Sequence, residues 1–550
     1  MAEQIKAIEL ATKQRDISVA DFFAKNRHLL GFDNKRKALL TTVKEAVDNS
    51  LDACEEADIL PEISVELIEM SEERFKIIVE DNGPGIVKAQ IPKIFAKLLY
   101  GSKFFKLSQS RGQQGIGISA SVMYGQLTTG KPSKITSRID KTHPSHYYEL
   151  HIDTSKNKPD IIKDETVIWE VEHGTKVEID LEGSFIKGPQ SVDEYLKQTA
   201  IVNPHVQIIY TNPKAEQIIF PRVTDVMPPK AKEIKPHPYG VELGVLINML
   251  KFTEARTLQS FLTTEFCRIG PGTAKEMCEK AALLPNTNPP KISRELAEKL
   301  LKGMQETKVI APPTDCISPI GAELLERGLK KEVNAEFYTS TTRPPSVYRG
   351  NPFVIEAAIA YGGELQAEGA AKIYRFANRV PLLYQQGACA ITDSIQKTIW
   401  RSYNLHQSNG GLPQGPLVIL VHMASVWVPF TSESKEALAH YPEIIKEIKL
   451  AIQECGRDLA HYLSKKRRVG DELKKRSYIE KYIPHVGIAL KEILTLKDAD
   501  QAKVEQMLEI VLEKQRGKVE KMDFDPNKNV EYDEELANIG KEDDAEEQDH

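Results

Sequence analysis

Several things this chain lacks narrow its identity first. Its six cysteines, Cys54, Cys267, Cys278, Cys316, Cys389 and Cys455, show no CxxC spacing. That pattern fits a reducing compartment, with neither a disulfide frame nor a cysteine-held zinc expected. The longest apolar stretch, Leu417 to Phe430, is broken by His422 and Ser425 and is too short to span a bilayer. The opening MAEQIKAIEL has no signal-peptide pattern, so a cytoplasmic protein with no membrane partner is expected. There is no internal repeat and no working Walker loop. The one formal match, GQLTTGK (Gly125 to Lys131), ends in Pro132 where a metal-binding hydroxyl belongs and follows a helix, so it reads as a turn.

The 550 residues imply three or four domains with ample core. A net charge of −6 argues against a nucleic-acid partner until it is divided. Residues 522–550 carry twelve acidic and two basic side chains, leaving +4 on the rest, so a mildly basic body precedes an acidic tail expected to be disordered.

Three short stretches carry the chemistry. The first, EAVDNSLDA (Glu45 to Ala53), sits on a helix predicted over Leu39 to Glu56, with Leu40, Val43, Val47, Leu51 and Cys54 on one apolar stripe. Glu45, Asp48, Asn49 and Asp52 fall opposite. There Glu45 suits a base that takes a proton from water and Asn49 a carbonyl ligand for Mg2+, although any solvated helix face looks similar. Next comes a hairpin: Ile63, Val65 and Leu67 alternate with polar residues, then Phe75, Ile77 and Val79. It runs into EDNGPGI (Glu80 to Ile86), where Asp81 could accept from an exocyclic amine while Gly83 and Gly85 admit a base, or form an ordinary Asn-Gly turn. The third, RGQQGIGIS (Arg111 to Ser119), sets Gly112, Gly115 and Gly117 before an apolar helix, Ile118 to Tyr124, whose first amides could face phosphate oxygens.

In this order the three stretches resemble the nucleotide-binding boxes of the ATPase superfamily shared by gyrase, a heat-shock chaperone, histidine kinases and MutL. The resemblance implies an α/β sandwich holding ATP under a mobile lid. By matching positions, Glu45 becomes the general base, Asn49 the Mg2+ ligand and Asp81 the adenine reader. Gly85, Gly112, Gln113, Gln114, Gly115, Ile116, Gly117 and Ile118 line the nucleotide, and the lid brings Tyr100, Gly101, Ser102 and Lys103 to it. His173, Gly174 and Thr175 resemble the closing box, with Thr175 behind Asp81, although HGT before a strand is also a plain turn.

Downstream, residues 242–311 turn helical. RIGPGTA (Arg268 to Ala274) is a tight turn into a helix start that suits a DNA phosphate or serves as punctuation. This segment resembles the helix, two turns, helix insert of the topoisomerase VI B-subunit family. The region from Pro319 to Tyr482, with strands at Phe353–Ala360, Ala371–Arg375 and Pro416–His422 and a helix from Ser434 to Lys466 interrupted near Pro442, resembles that family's transducer. The matching stretches are RPPSVYRGNPF (Arg343 to Phe353) and TSESKEALA (Thr431 to Ala439). Lys435 matches the switch lysine that reaches the γ-phosphate; its place at a helix start, unfavourable to the helix dipole, agrees with such a task. The clusters Lys465 to Arg468 and Lys474 to Arg476 suit phosphate contacts or a solvated helix face. Val504, Met507, Leu508, Val511 and Leu512 form an apolar stripe that needs cover from this chain or a partner.

The expected fold is therefore a multi-domain α/β chain: an α/β-sandwich ATPase over 1–235, a helix-two-turns-helix domain over 236–315, a transducer over 316–482, a helical extension over 483–521 and the tail. The resemblance implies an A2B2 heterotetramer that captures double-stranded DNA when two copies dimerise on ATP, with cleavage carried by the separate topoisomerase VI A-type subunit. Asp498 and Asp500 form a lone DxD without the strand and glutamate of a cleavage site, so this chain should cut no DNA alone. Relatives with a further C-terminal β-domain differ from this chain, which ends in the acidic tail. A MutL-like repair clamp is the alternative, disfavoured by the helical insert. A sensor kinase needs a phospho-accepting histidine on a long helix before the ATPase, whereas only 44 residues precede Glu45 and His28 lies on no such helix. A nucleotide-gated scaffold without turnover would leave Glu45 idle.

Overall fold

The computed structural model describes residues 10–11, 14–102, 106–112, 115–432, 435–495 and 497–516. The acidic tail lies outside them, as do Lys103, Gln113 and Gln114. Eight strands form the first sheet: β1 (Glu62–Ser71), β2 (Arg74–Asp81), β3 (Ser133–Arg138), β4 (Ser145–Asp153), β5 (Lys158–Val167), β6 (Gly174–Glu182), β7 (Gln207–Thr211) and β8 (Gln217–Phe220). Their order is β5-β4-β3-β6-β2-β1-β7-β8, antiparallel except for β1 beside β7. One face is apolar because Ile63, Val65 and Leu67, Phe75, Ile77 and Val79, and Val177, Ile179 and Leu181 alternate inward. Helices Lys35–Glu56 and Gly117–Thr129 cover that face, and Val192–Val202 packs beside them.

The Lys35–Glu56 helix begins one turn before the expected Leu39, where the Asn34 side chain accepts from the Lys37 amide at 2.9 Å. GQLTTGK is the end of the Gly117–Thr129 helix and not a free turn, with Gly130 closing it in the left-handed conformation. A helical unit follows: Leu243–Phe252, Leu258–Glu265, Pro271–Lys280 and Arg294–Glu306 enclose a separate core including Phe261, Phe266 and Leu300. Gly270 caps Pro271–Lys280, and Arg268 Nε donates to the Ala311 carbonyl at 3.1 Å.

The second sheet holds β9 (Phe337–Thr342), β10 (Ser346–Tyr348), β11 (Asn351–Tyr361), β12 (Lys372–Ala377) and β13 (Val380–Pro381), while β14 (His406–Gln407) and β15 (Pro413–Gln414) form a small ladder apart. The last strand, β16 (Leu417–Ser425), lies between β11 and β12 and is buried throughout, which explains its unbroken apolar run. A 53-residue helix, Pro442–Leu494, packs its first half on this sheet through Ile444, Ile448, Ile452 and Leu459. It starts later than the expected Ser434. Proline tolerates the first helical position, and the residue before it is held extended, as Tyr441 is at φ −116° and ψ 131°. It also runs through residue 482, so the boundary expected there falls inside one element. Asp498–Arg516 folds back on its far half, burying Leu512 and leaving Met507 and Val511 exposed. No helix among the described residues is long and apolar enough to cross a membrane.

The two sheets are joined by a shared core. Ile201 and Val202, ending the Val192–Val202 helix, pack with Leu325 and Leu329 of helix Ala322–Glu332 and with Ala358, Tyr374 and Leu420 of the second sheet. The approach is closest at Gly328, where a Cβ would overlap the Ile201 carbonyl. Gly328→Ala should therefore force these helices apart and destabilise the chain by about 1–3 kcal/mol, read as a lower denaturation midpoint. An unchanged midpoint would mean the joint is loose.

Candidate nucleotide site

The Lys35–Glu56 helix presents Glu45 and Asn49 to a cavity of about 620 Å³. The described residues expected to bind nucleotide all line it: Asp81, Gly85, Ser102, Gly112, Gly115, Ile116, Gly117, Ile118, Thr175 and Lys435. A volume of this size suits a ligand as large as a nucleotide.

Asp81 ends β2 on the cavity floor. It accepts from Ser50 Oγ at 2.7 Å and from the amides of Gly83 at 2.9 Å and Thr175 at 3.3 Å. Burial pushes its carboxyl above the ordinary range, against those three donors. Thr175 lies opposite Asp81 in the β2–β6 register, and its hydroxyl meets Ser137 Oγ at 3.0 Å. His173 Nδ1 donates to the Gly83 carbonyl at 2.8 Å, which ties the HGT turn to the Asp81 turn. Tyr100 hydroxyl donates to Gln90 Oε1 at 2.5 Å on the rim.

At the other end, Gly117 opens its helix directly against Glu45; a Cβ there would overlap the Glu45 carboxylate. No side chain caps this helix start, so the amides around Ile116 to Ile118 are available to an anion. The resulting surface offers a deep carboxylate acceptor, a row of amides and one carboxylate beside an amide side chain. Among the described residues no group of three or more His, Cys, Asp or Glu could hold a metal.

Lys435 arrives from the second sheet's side, in a loop and not at a helix start. Its φ is +54° and its amide donates to the Ser432 carbonyl at 3.1 Å, so the helix-dipole argument does not apply. Its Nζ donates to the Arg111 carbonyl at 3.2 Å. The next residue, Glu436, pairs with Lys37 on the helix that carries Glu45.

Comparison with known proteins agrees with this arrangement. Residues 34–182 match the histidine kinase-, DNA gyrase B- and HSP90-like ATPase profile, and residues 312–475 match the topoisomerase VI B subunit transducer profile. The B subunit of type 2 DNA topoisomerase 6 from Methanococcoides burtonii is 53% identical over 489 residues, covering 89% of this chain and 79% of that protein. The namesake from Archaeoglobus fulgidus is 48% identical over 486 residues, covering 88% and 80%. This chain belongs to the topoisomerase VI B-subunit family.

Sequence reasoning about this family site misjudged one helix face. Asp48 and Asp52, placed with Glu45 and Asn49 opposite the apolar stripe where a solvated face is the alternative, are each only 7% exposed. Asp48 accepts from the Tyr195 hydroxyl at 2.9 Å, and burial pushes its carboxyl up to about 6. Asp52 accepts from Arg111 Nη1 at 2.8 Å. Arg111 opens the glycine-rich stretch, yet its side chain had no assigned task. The available signal was two further acids on a helix already carrying the proposed base, since buried acids need a cation nearby.

Asp48 sets a pH dependence. The unfolded chain releases this proton near the usual value of about 4, while the folded chain keeps it to about 6, so stability falls as pH rises through that window. Asp48→Asn retains the acceptor for Tyr195 and removes the titration. The variant's stability advantage over the parent should grow by about 1 kcal/mol from pH 5 to pH 7 and then level off. Parallel pH profiles would contradict this.

Proposed function

We propose that this chain is the ATP-hydrolysing subunit of a type IIB DNA topoisomerase. The observation that carries the reading is one cavity in which Glu45, Asp81 and the glycine-rich helix start meet Lys435 from the second sheet. In this reading Asp81 accepts a hydrogen bond from the adenine amine, with Thr175 behind it. The amides of Gly115 to Ile118, with the neighbouring Gln113 and Gln114, bind phosphate oxygens. Ser102 and Lys103 close over the nucleotide from the lid. Glu45 takes the proton of the attacking water, and Gly117 leaves the room its carboxylate needs. The Asn49 carbonyl oxygen would hold Mg2+, whose charge would offset that of the phosphates. Lys435 exchanges the Arg111 carbonyl for the γ-phosphate and so reports the nucleotide to the second sheet.

Family membership supports the rest of the reading. Two copies close on ATP around a duplex and signal the separate A-type subunit, in an A2B2 assembly in the cytoplasm, to cleave, pass and religate DNA. In this reading the units divide at 235 and 315, and the long helix Pro442–Leu494 is assigned to the transducer before the C-terminal extension.

Reconstitution tests the proposal. Mixed with a separately expressed A-type subunit, the full chain should relax supercoiled DNA only with ATP and Mg2+. Glu45→Gln should lower turnover by about 10²- to 10⁴-fold while a non-hydrolysable analogue still binds. Relaxation without ATP, or a parental rate in the variant, would sink the reading. Asp81→Ala should weaken ATP binding by about 10-fold or more, because it leaves a buried donor unpaired. Calorimetric titration that returned the parental affinity would remove Asp81 from the adenine pocket.

A further inference from the structure

The Arg111 side chain is 3% exposed and fully engaged at its fork. Nη1 donates to Asp52 Oδ1 and Glu55 Oε2, both at 2.8 Å, and Nη2 donates to Glu55 Oε1 at 2.6 Å and Asn203 Oδ1 at 2.5 Å. Burial alone would raise the Glu55 carboxyl, but the guanidinium, with His205 at 2.8 Å, holds it well below the ordinary range. Thus the residue immediately before Gly112 is clamped to the last turns of the helix that carries Glu45 and Asn49. The Arg111 backbone faces the other way, its carbonyl receiving Lys435 Nζ at 3.2 Å. Its neighbours are stitched to the second sheet's side: Asn378 Nδ2 donates to the Ser110 carbonyl at 3.0 Å, and Gln109 Oε1 accepts from the Ser318 amide at 2.7 Å.

Resting on the reading that this cavity hydrolyses ATP, we propose that Arg111 is the positioning residue of that reaction. Its side chain sets the phosphate-binding loop against the Glu45 helix, and its carbonyl parks Lys435 at the distance from which it engages the γ-phosphate. Arg111 touches no reacting atom; it acts by fixing three groups that do. A lysine in its place keeps the positive charge that Asp52 and Glu55 need but cannot reproduce the planar fork to two acids and an amide. The loop can then shift slightly while the floor of the pocket around Asp81 stays intact.

The test compares kcat with nucleotide affinity in the full chain. Arg111→Lys should lower kcat at saturating ATP by about 10-fold or more, since misplacement on the ångström scale is enough for such losses. The affinity for a non-hydrolysable analogue should stay within about threefold of the parent. In a Lys435→Ala background the same substitution should cost less than in the parent, because the part of the loss that runs through the Arg111–Lys435 contact is already gone. If Arg111→Lys fails to fold, Asp52→Asn keeps the acceptor and volume while removing one charge, and should show the same split on a smaller scale. A parental kcat in the folded variant, a loss confined to affinity, or two losses that multiply would each overturn the positioning role. With a parent that hydrolyses ATP, those results leave the cavity's function standing. A parent with no ATPase activity overturns both.

Discussion

Arg111 is where the chain accepts a large desolvation cost and offsets it with geometry. A buried guanidinium is unfavourable unless its donors meet acids in good alignment, and here two carboxylates and an amide oxygen meet its fork. Those acids come from the helix that carries the proposed base. The helix, the glycine-rich loop and the Val192–Val202 end therefore have one mutual arrangement, and the cavity inherits its shape from it. Without that cation, Asp52 and Glu55 would remain buried on a helix whose apolar stripe still packs, and the loop before Gly112 would lose its anchor.

The polar path extends past the cavity. Arg379 lies 3.8 Å from Glu55, and its amide donates to His422 Nε2 at 3.0 Å. Because Nε2 accepts, the ring hydrogen lies on Nδ1, which donates to Glu356 Oε2 at 2.7 Å. Glu356 also accepts from the amides of Ile320 and Gly321, opening the Ala322–Glu332 helix. The His422–Glu356 pair is wholly inside the second sheet, with neither side chain exposed. Alongside runs the apolar joint of Ile201, Leu325 and Tyr374. Together they give the two sheets a buried, directional contact, which a loose linker could not provide.

Much of this was legible in the sequence because the nucleotide chemistry sits in short local stretches. Glu45 and Asn49 lie one helical turn apart, Asp81 ends an alternating strand, and three glycines precede an apolar helix. Of the second sheet's strands, β11, β12 and β16 were readable from their apolar runs to within a few residues. Two things were not. The burial of Asp48 and Asp52 depends on partners distant in the chain, Arg111 being 59 residues from Asp52, and one helix's pattern cannot report what later covers its polar face. Lys435 was singled out chiefly by family likeness, and the helix expected to hold it begins only at Pro442. The stretch from Lys435 to Leu438 is composed of good helix formers, but Leu438 is drawn into a bridge with Phe430 and Pro442 sets the start downstream. Tertiary pairing overrode propensity there.

The 53-residue helix has a mechanical consequence. Its foot is embedded in the second sheet beside the loop that carries Lys435, while its upper half projects clear of that sheet with, among the described residues, only the short helix Asp498–Arg516 along it. At about 1.5 Å per residue it is about 80 Å long, so tilting its base by about 5° swings the tip through about 7 Å. A long helix rooted at a small displacement is a lever, with Pro484 near its tip the one interior position that lacks a backbone donor. Motion too slight to disturb the packing near Ile448 becomes, at Leu494, a stroke as wide as a side chain is long.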